Sequence, residues 1–177
     1  MRKMWIPALA VLLAALMLLF AYNITLQIRK DNAERELQAK MATLLPGSTS
    51  FEKEEYTGDD STIEFVYKGD TGYVIGTATS GYAGTLKMLV GVSDDGLVTG
   101  LQIRSMEETF GLGGNALYDW NFLSQFLNTD GNAAVGENID AISGATVTSK
   151  AVTRSVNAAV AFVTGSDADS GATSWGG

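Results

Sequence analysis

Hydrophobic and polar positions divide this chain into unlike parts. From Met4 to about Tyr22 almost every residue is apolar, mostly Leu and Ala. A helix rises about 1.5 Å per residue, so roughly 20 such residues cross a hydrocarbon core. Pro7 falls in the first turn, where its missing N–H is tolerated, and Trp5 and Tyr22 bracket the run at interfacial depths. The pattern predicts a membrane anchor. Arg2-Lys3 before an apolar run also suits a cleaved signal. However, the run is long, and Asn23-Ile-Thr-Leu-Gln-Ile28 supplies no small-x-small cleavage site, so a retained anchor is expected.

Beyond the span the period changes. Asp31 to Leu45 reads as a short helix, with Leu37, Met41 and Leu44 near one face and Pro46-Gly47 ending it. Ser50 to Glu64 is polar and acidic, with a turn at Gly58-Asp-Asp60. Strands are expected at Glu64–Lys68, Gly72–Ala78, Thr85–Val92 and Leu97–Ile103, separated by turns at Gly69-Asp70 and Ser93–Gly96. Three to five strands in this order suggest an antiparallel meander.

Leu117 to Phe126 reads as a helix in which Trp120, Leu123 and Phe126 pack in the core or line a cofactor pocket, core packing being the default. The clearest helix runs from Ser149 to Val163, with Val152, Val156, Ala159, Val160 and Val163 at helical spacing and Thr146 or Thr148 available to cap its start. The expected fold class is α+β, an antiparallel-sheet domain with an N-terminal transmembrane helix. The expected division is an anchor over 1–30, a juxtamembrane helix and linker over 31–59, the main domain over 60–165 and a mobile tail over 166–177.

Charge sharpens this picture. All 20 acidic residues and eight of the 12 basic ones follow residue 30, leaving that part at −12. Such a domain is not built for nucleic acid or anionic lipid. Arg2 and Lys3 before the span balance Arg29 and Lys30 after it. The expected orientation keeps the N-terminus inside and the domain outside, as for an exported domain. With neither Cys nor His, the chain by itself supplies no disulfide, thiolate-held iron–sulfur cluster or histidine-ligated haem.

The segment Asp140-Ala-Ile-Ser-Gly-Ala-Thr-Val-Thr-Ser149 places several hydroxyls just before the last helix. Gly144 permits a left-handed turn, free N–H groups at the helix start can receive a phosphate, and Thr146 supplies a hydroxyl that can become a phosphoester. Asp140 either orients the turn or serves recognition by a modifying enzyme. An ordinary capped helix is the bland alternative.

This segment resembles the D-x-x-S/T-G-A-T flavinylation motif in two related FMN-binding domains, those of the Rnf complex's G subunit and of the Na⁺-translocating NADH:quinone reductase's C subunit. Asp140, Ser143, Gly144, Ala145 and Thr146 match every specified position. The resemblance implies that a separate flavin transferase uses FAD to attach FMN through its phosphate to Thr146, with Thr148 matching a hydroxyl often found nearby. A second stretch, Ser105-Met-Glu-Glu-Thr-Phe-Gly-Leu-Gly-Gly114, resembles the family's S-H-x-E-T-P-G-L-G region. Ser105, Glu108, Thr109, Gly111, Leu112 and Gly113 carry over, while Met106 and Phe110 replace the usual His and Pro. The resemblance implies that Glu108, Thr109, Gly111, Leu112 and Gly113 pack near the flavin; without it the loop is an ordinary turn. Asp167-Ala-Asp-Ser-Gly-Ala-Thr173 repeats the short motif, but only Ser-Trp-Gly-Gly177 follows, and Thr146 is the expected acceptor.

The resemblance implies a redox component without a reaction of its own in isolation. By the same resemblance, it is expected to relay electrons beside the other membrane subunits of an Rnf-like complex, which couples ferredoxin and NAD to ion translocation. Two alternatives stand beside it: an anchored FMN carrier of another membrane reductase, and a nonredox assembly or sensory domain.

Overall fold

The computed structural model describes residues 5–82, 84–106 and 119–166, with backbone alone for 5–11 and for Met106. The chain divides into two compact units, Met1–Ala39 and Lys40–Gly177.

The first helix, α1, runs Trp5–Leu44 without a break. The anchor and the juxtamembrane helix, expected as separate pieces, are therefore continuous. The reason lies between Tyr22 and Asp31, where no Pro or Gly interrupts the backbone. Polar side chains there fold back onto the helix: Asn23 Nδ2 donates to Leu19 O at 2.8 Å and Thr25 Oγ1 to Ala21 O at 2.8 Å. Among the described residues, this is a helix long and apolar enough to cross a membrane, and Leu12, Leu13, Leu16–Phe20 and Tyr22 are exposed along it. The helix stops before Pro46, and Gly47 takes φ +92°.

The second unit is built on a five-stranded antiparallel sheet in sequential order: β1 (Phe51–Glu54), β2 (Ile63–Gly69), β3 (Gly72–Ser80), β4 (Thr85–Ser93) and β5 (Val98–Met106). This is the expected meander. The strand missing from the sequence reading is β1, whose Phe-Glu-Lys-Glu buries only Phe51 and pairs as an edge strand with β2. Four residues with one inward side chain carry too little alternation to announce a strand. The 31–59 stretch thus holds the last turns of α1 together with β1.

Alternation in β4 assigns the two faces. Leu86, Met88, Val90 and Val92 join Val66 and Ile75 against α3 (Thr146–Thr164), which contributes Val152, Val156, Ala159 and Val160. Each such Val, Leu, Ile or Met side chain fully removed from water contributes about 1.5–3 kcal/mol. On the opposite face, Gly91 and Gly100 pair across β4 and β5. Their missing side chains let the end of α1 lie on the backbone: a Cβ at Gly91 would stand 2.3 Å from the Leu44 carbonyl oxygen. Thr99, at the adjacent bulge, donates its hydroxyl to that oxygen at 2.6 Å. Thr77 Oγ1, under α3, is buried without a hydrogen-bond partner among the described residues.

The short helix α2 (Trp120–Ser124) is narrower than the expected 117–126, and Leu117 and Tyr118 lie outside the described residues. Asp119 caps it through Asn121 N and Phe122 N. Phe122, Leu123 and Phe126 enter the core, with Phe122 and Phe126 meeting edge to face at 5.3 Å. Trp120 does not: it is 67% exposed. At the first helical position it faces away from the i, i+4 line on which Phe122 and Phe126 anchor the segment.

Candidate functional site

Helix α3 runs antiparallel to β3. Near its start Thr79 Oγ1 donates to Ala151 O at 3.2 Å and meets Ser155 Oγ at 3.1 Å, while near its end Phe162 meets Tyr73 edge to face. The N-terminus of α3 therefore lies at the end of the sheet where β3 finishes, β4 begins and β5 finishes. That places Thr146 at the same end as Ser105, the first residue of the second matched stretch. Glu108, Thr109, Gly111, Leu112 and Gly113 lie outside the described residues, as do Phe110 and Thr173.

The loop before α3 is pinned at two points. Gln125, just after α2, grips the backbone of Asp140 with both ends of its amide. Its Oε1 accepts from Asp140 N at 2.8 Å, and its Nε2 donates to Asp140 O at 3.3 Å. Ser149 works from inside α3: its Oγ accepts from Ile142 N at 3.2 Å and donates to Ala145 O at 2.9 Å. Between these points Ala145 N bonds to Ile142 O at 2.9 Å, with Gly144 at φ +78°. A left-handed third residue is the type II turn pattern, which favours glycine there. The Asp140 carboxylate makes no hydrogen bond among the described residues, so the turn is oriented through the Asp140 backbone.

The turn delivers Thr146 as the first residue of α3. Thr146 does not cap the helix, and neither does Thr148. Ala145 is the N-cap residue, and no side-chain hydrogen bond closes this end. Thr146 already has helical geometry, one residue too late to cap, and Thr148 is buried at 1% exposure. Ser143, Gly144 and Thr146 are exposed, Ala145 is buried, and no acidic residue occupies the first turn of α3. The backbone N–H groups of Thr146 and Val147 have no acceptor among the described residues. This donor set, an exposed hydroxyl beside open N–H groups at a helix start, fits a phosphate.

Farther back, Asn157 does for Ala133 what Gln125 does for Asp140: Nδ2 donates to Ala133 O at 2.8 Å, and Oδ1 accepts from Ala133 N at 3.2 Å. The residues that hold the loop were not among those singled out by motif. Ser149 belongs to the same hydroxyl run, but Gln125 and Asn157 act across long separations that no local pattern signals.

Fold and site together define the class, an α+β domain that follows a long apolar helix and presents a threonine at an open helix start. The FMN-binding domain family model matches residues 81–161. The G subunit of an ion-translocating oxidoreductase complex from Methanosarcina acetivorans is 32% identical over 165 residues, covering 85% of this chain and 87% of the relative. The chain belongs to this family of G subunits. Two further relatives are the G subunits of a Na⁺-translocating (Acetobacterium woodii) and a proton-translocating (Clostridium ljungdahlii) ferredoxin:NAD⁺ oxidoreductase complex. Each is 42% identical, over 98 and 99 residues, matching 50% and 52% of this chain. The chain spans about half the length of these two, 47% and 53%. Shewanella oneidensis NqrC is a structural neighbour at TM-score 0.44 and 22% identity, covering 66% of this chain and 65% of that one.

Proposed function

We propose that this chain is a covalently flavinylated electron-relay subunit of a membrane ion-translocating ferredoxin:NAD oxidoreductase complex, with FMN joined through its phosphate to Thr146. The observation that carries the reading is the placement of Thr146: exposed, first in α3, at a helix start with no side-chain cap. Membership of the G-subunit family supports the complex, and the FMN-binding domain match over 81–161 supports the cofactor. Its partners are the other membrane subunits.

Maturation requires a flavin transferase with FAD. Thr146 Oγ forms a bond to the flavin-side phosphorus as the pyrophosphate bond breaks. AMP leaves with the bonding electron pair, and the hydroxyl proton passes to a base of the transferase. Gly144 forms the left-handed turn before the helix, and the open N–H groups of Thr146 and Val147 would receive the phosphate oxygens. Bound there, FMN accepts and returns electrons through its isoalloxazine ring. The tether keeps the cofactor with a domain held outside the cytoplasmic membrane by α1.

Intact and peptide mass spectrometry of native membranes tests the assignment. The expected result is an FMN phosphoester on Thr146. Modification of Thr173 alone, or of neither threonine in the presence of a competent transferase, refutes it.

A further inference from the structure

The open side of α3 is narrow. Thr148, Ser149, Ala151, Val152, Thr153 and the run from Ser155 to Ala161 are buried. Thr146, Lys150 and Arg154 lie on the line that remains, each four residues after the last, Lys150 half-buried and the other two exposed. Residues at i and i+4 are neighbours on a helix, and their side chains lean toward its N-terminus. That spacing puts Lys150 one turn after Thr146, with the lean of helical side chains directed toward it.

Lys68 pairs with Asp94, Lys87 and Arg104 pair with Glu64, and Arg154 Nε donates to Thr62 Oγ1 at 3.4 Å. Lys150 has no ion pair or hydrogen bond among the described residues. A cation near the positive end of a helix is unfavourable by itself, and α3 has no acidic residue in its first turn to offset it. A phosphodiester on Thr146 reverses that sign.

The geometry points to Lys150 as the counter-ion of the FMN phosphodiester, a positioning residue that holds the tether along α3. This assignment rests on attachment at Thr146 and adds to it a residue outside the matched motif. Lys150 takes no part in the redox chemistry.

A thermodynamic cycle tests it on the full chain in detergent. The unfolding equilibrium is measured with and without FMN for wild type, Lys150→Gln, Lys150→Arg and, as a control one turn farther along, Arg154→Gln. A merely structural lysine shifts both forms equally. A counter-ion makes the gain on flavinylation larger by about two- to fivefold in the unfolding constant when the charge is present. Wild type, Lys150→Arg and Arg154→Gln should keep the gain, and Lys150→Gln should lose it. Equal gains in wild type and Lys150→Gln overturn the assignment. Should Lys150→Gln not fold, salt decides: the wild-type gain must shrink between about 0.05 M and about 1 M ionic strength, and a constant gain overturns it. Peptide mass spectrometry on the same samples separates the two readings. Missing FMN on Thr146 overturns both, whereas FMN present with no coupling overturns only the role of Lys150.

Discussion

Replacing Gln125 with Ala should loosen the attachment loop without unfolding the domain. The side chain contributes two hydrogen bonds to the Asp140 backbone, at 2.8 and 3.3 Å. An intramolecular hydrogen bond is worth about 0.5–1.5 kcal/mol net. The longer contact counts for less, and Asp140 is exposed, so water replaces the lost partners. The expected local cost is about 1 kcal/mol, or about fivefold in the population of the opened loop. Phe122, Leu123 and Phe126 stay buried in the variant, so α2 remains anchored. Amide hydrogen exchange followed residue by residue is the assay. Exchange at Asp140 should accelerate about fivefold, while Val152 and Val156 in α3 keep their protection. Gln125→Glu retains an acceptor for Asp140 N but sets a carboxylate against Asp140 O, so it should not restore the wild-type rate. The reasoning fails if exchange at Asp140 is unchanged in Gln125→Ala, or if α3 loses protection in parallel.

Three further outcomes follow from the packing. Gly91→Ala should destabilise the domain by about 2–4 kcal/mol in chemical denaturation, because the new Cβ meets the Leu44 carbonyl oxygen and displaces the Thr99 hydroxyl bond; a change within experimental error would show that α1 does not lie there. Thr77→Val should stabilise by about 1 kcal/mol, since it replaces a buried hydroxyl lacking a partner with a methyl of similar shape; a loss of stability counts against it. Asp70 accepts from Thr49 N and Ser50 N, then from the Ser50 hydroxyl, and these bonds hold its carboxyl below the ordinary value of 3.8. The stabilisation is therefore present above pH 3.8 and is lost as pH falls through the lower folded value. The stability difference between wild type and Asp70→Asn should shrink on acidification in that window, and a difference independent of pH would refute it.

The parts of the fold written in the sequence are those with a repeated signal. The last helix buries one side at helical spacing, and four apolar strand segments are marked off by turn residues at their ends. Trp120 was misassigned because hydrophobicity says that a side chain can be buried, whereas the helical phase set by Asp119 and Phe122 decides whether it is. The Gly91–Gly100 pair was equally hidden. Glycine in a strand signals a close approach, but the partner, Leu44, lies far off in sequence. Gln125 is hidden for the same reason. Its amide reads as ordinary surface polarity until the fold brings Asp140 to it.

Among the hydroxyls in the first two turns of α3, burial decides which one is available. Each residue turns the helix by about 100°, so Thr148 stands about 200° from Thr146. Thr148 is turned into the domain at 1% exposure, whereas Thr146, at the first position of the helix, is exposed. Ser149 faces inward as well and spends its hydroxyl on Ile142 N and Ala145 O, fixing the turn that precedes Thr146. Lys150 returns to the Thr146 side one turn later. The Ser-Gly-Ala-Thr sequence alone does not distinguish an acceptor from its neighbours. The fold does: packing α3 on β3 and β4 buries Thr148, Ser149, Thr153 and Ser155, while Thr146, at the very start of the helix, stays exposed.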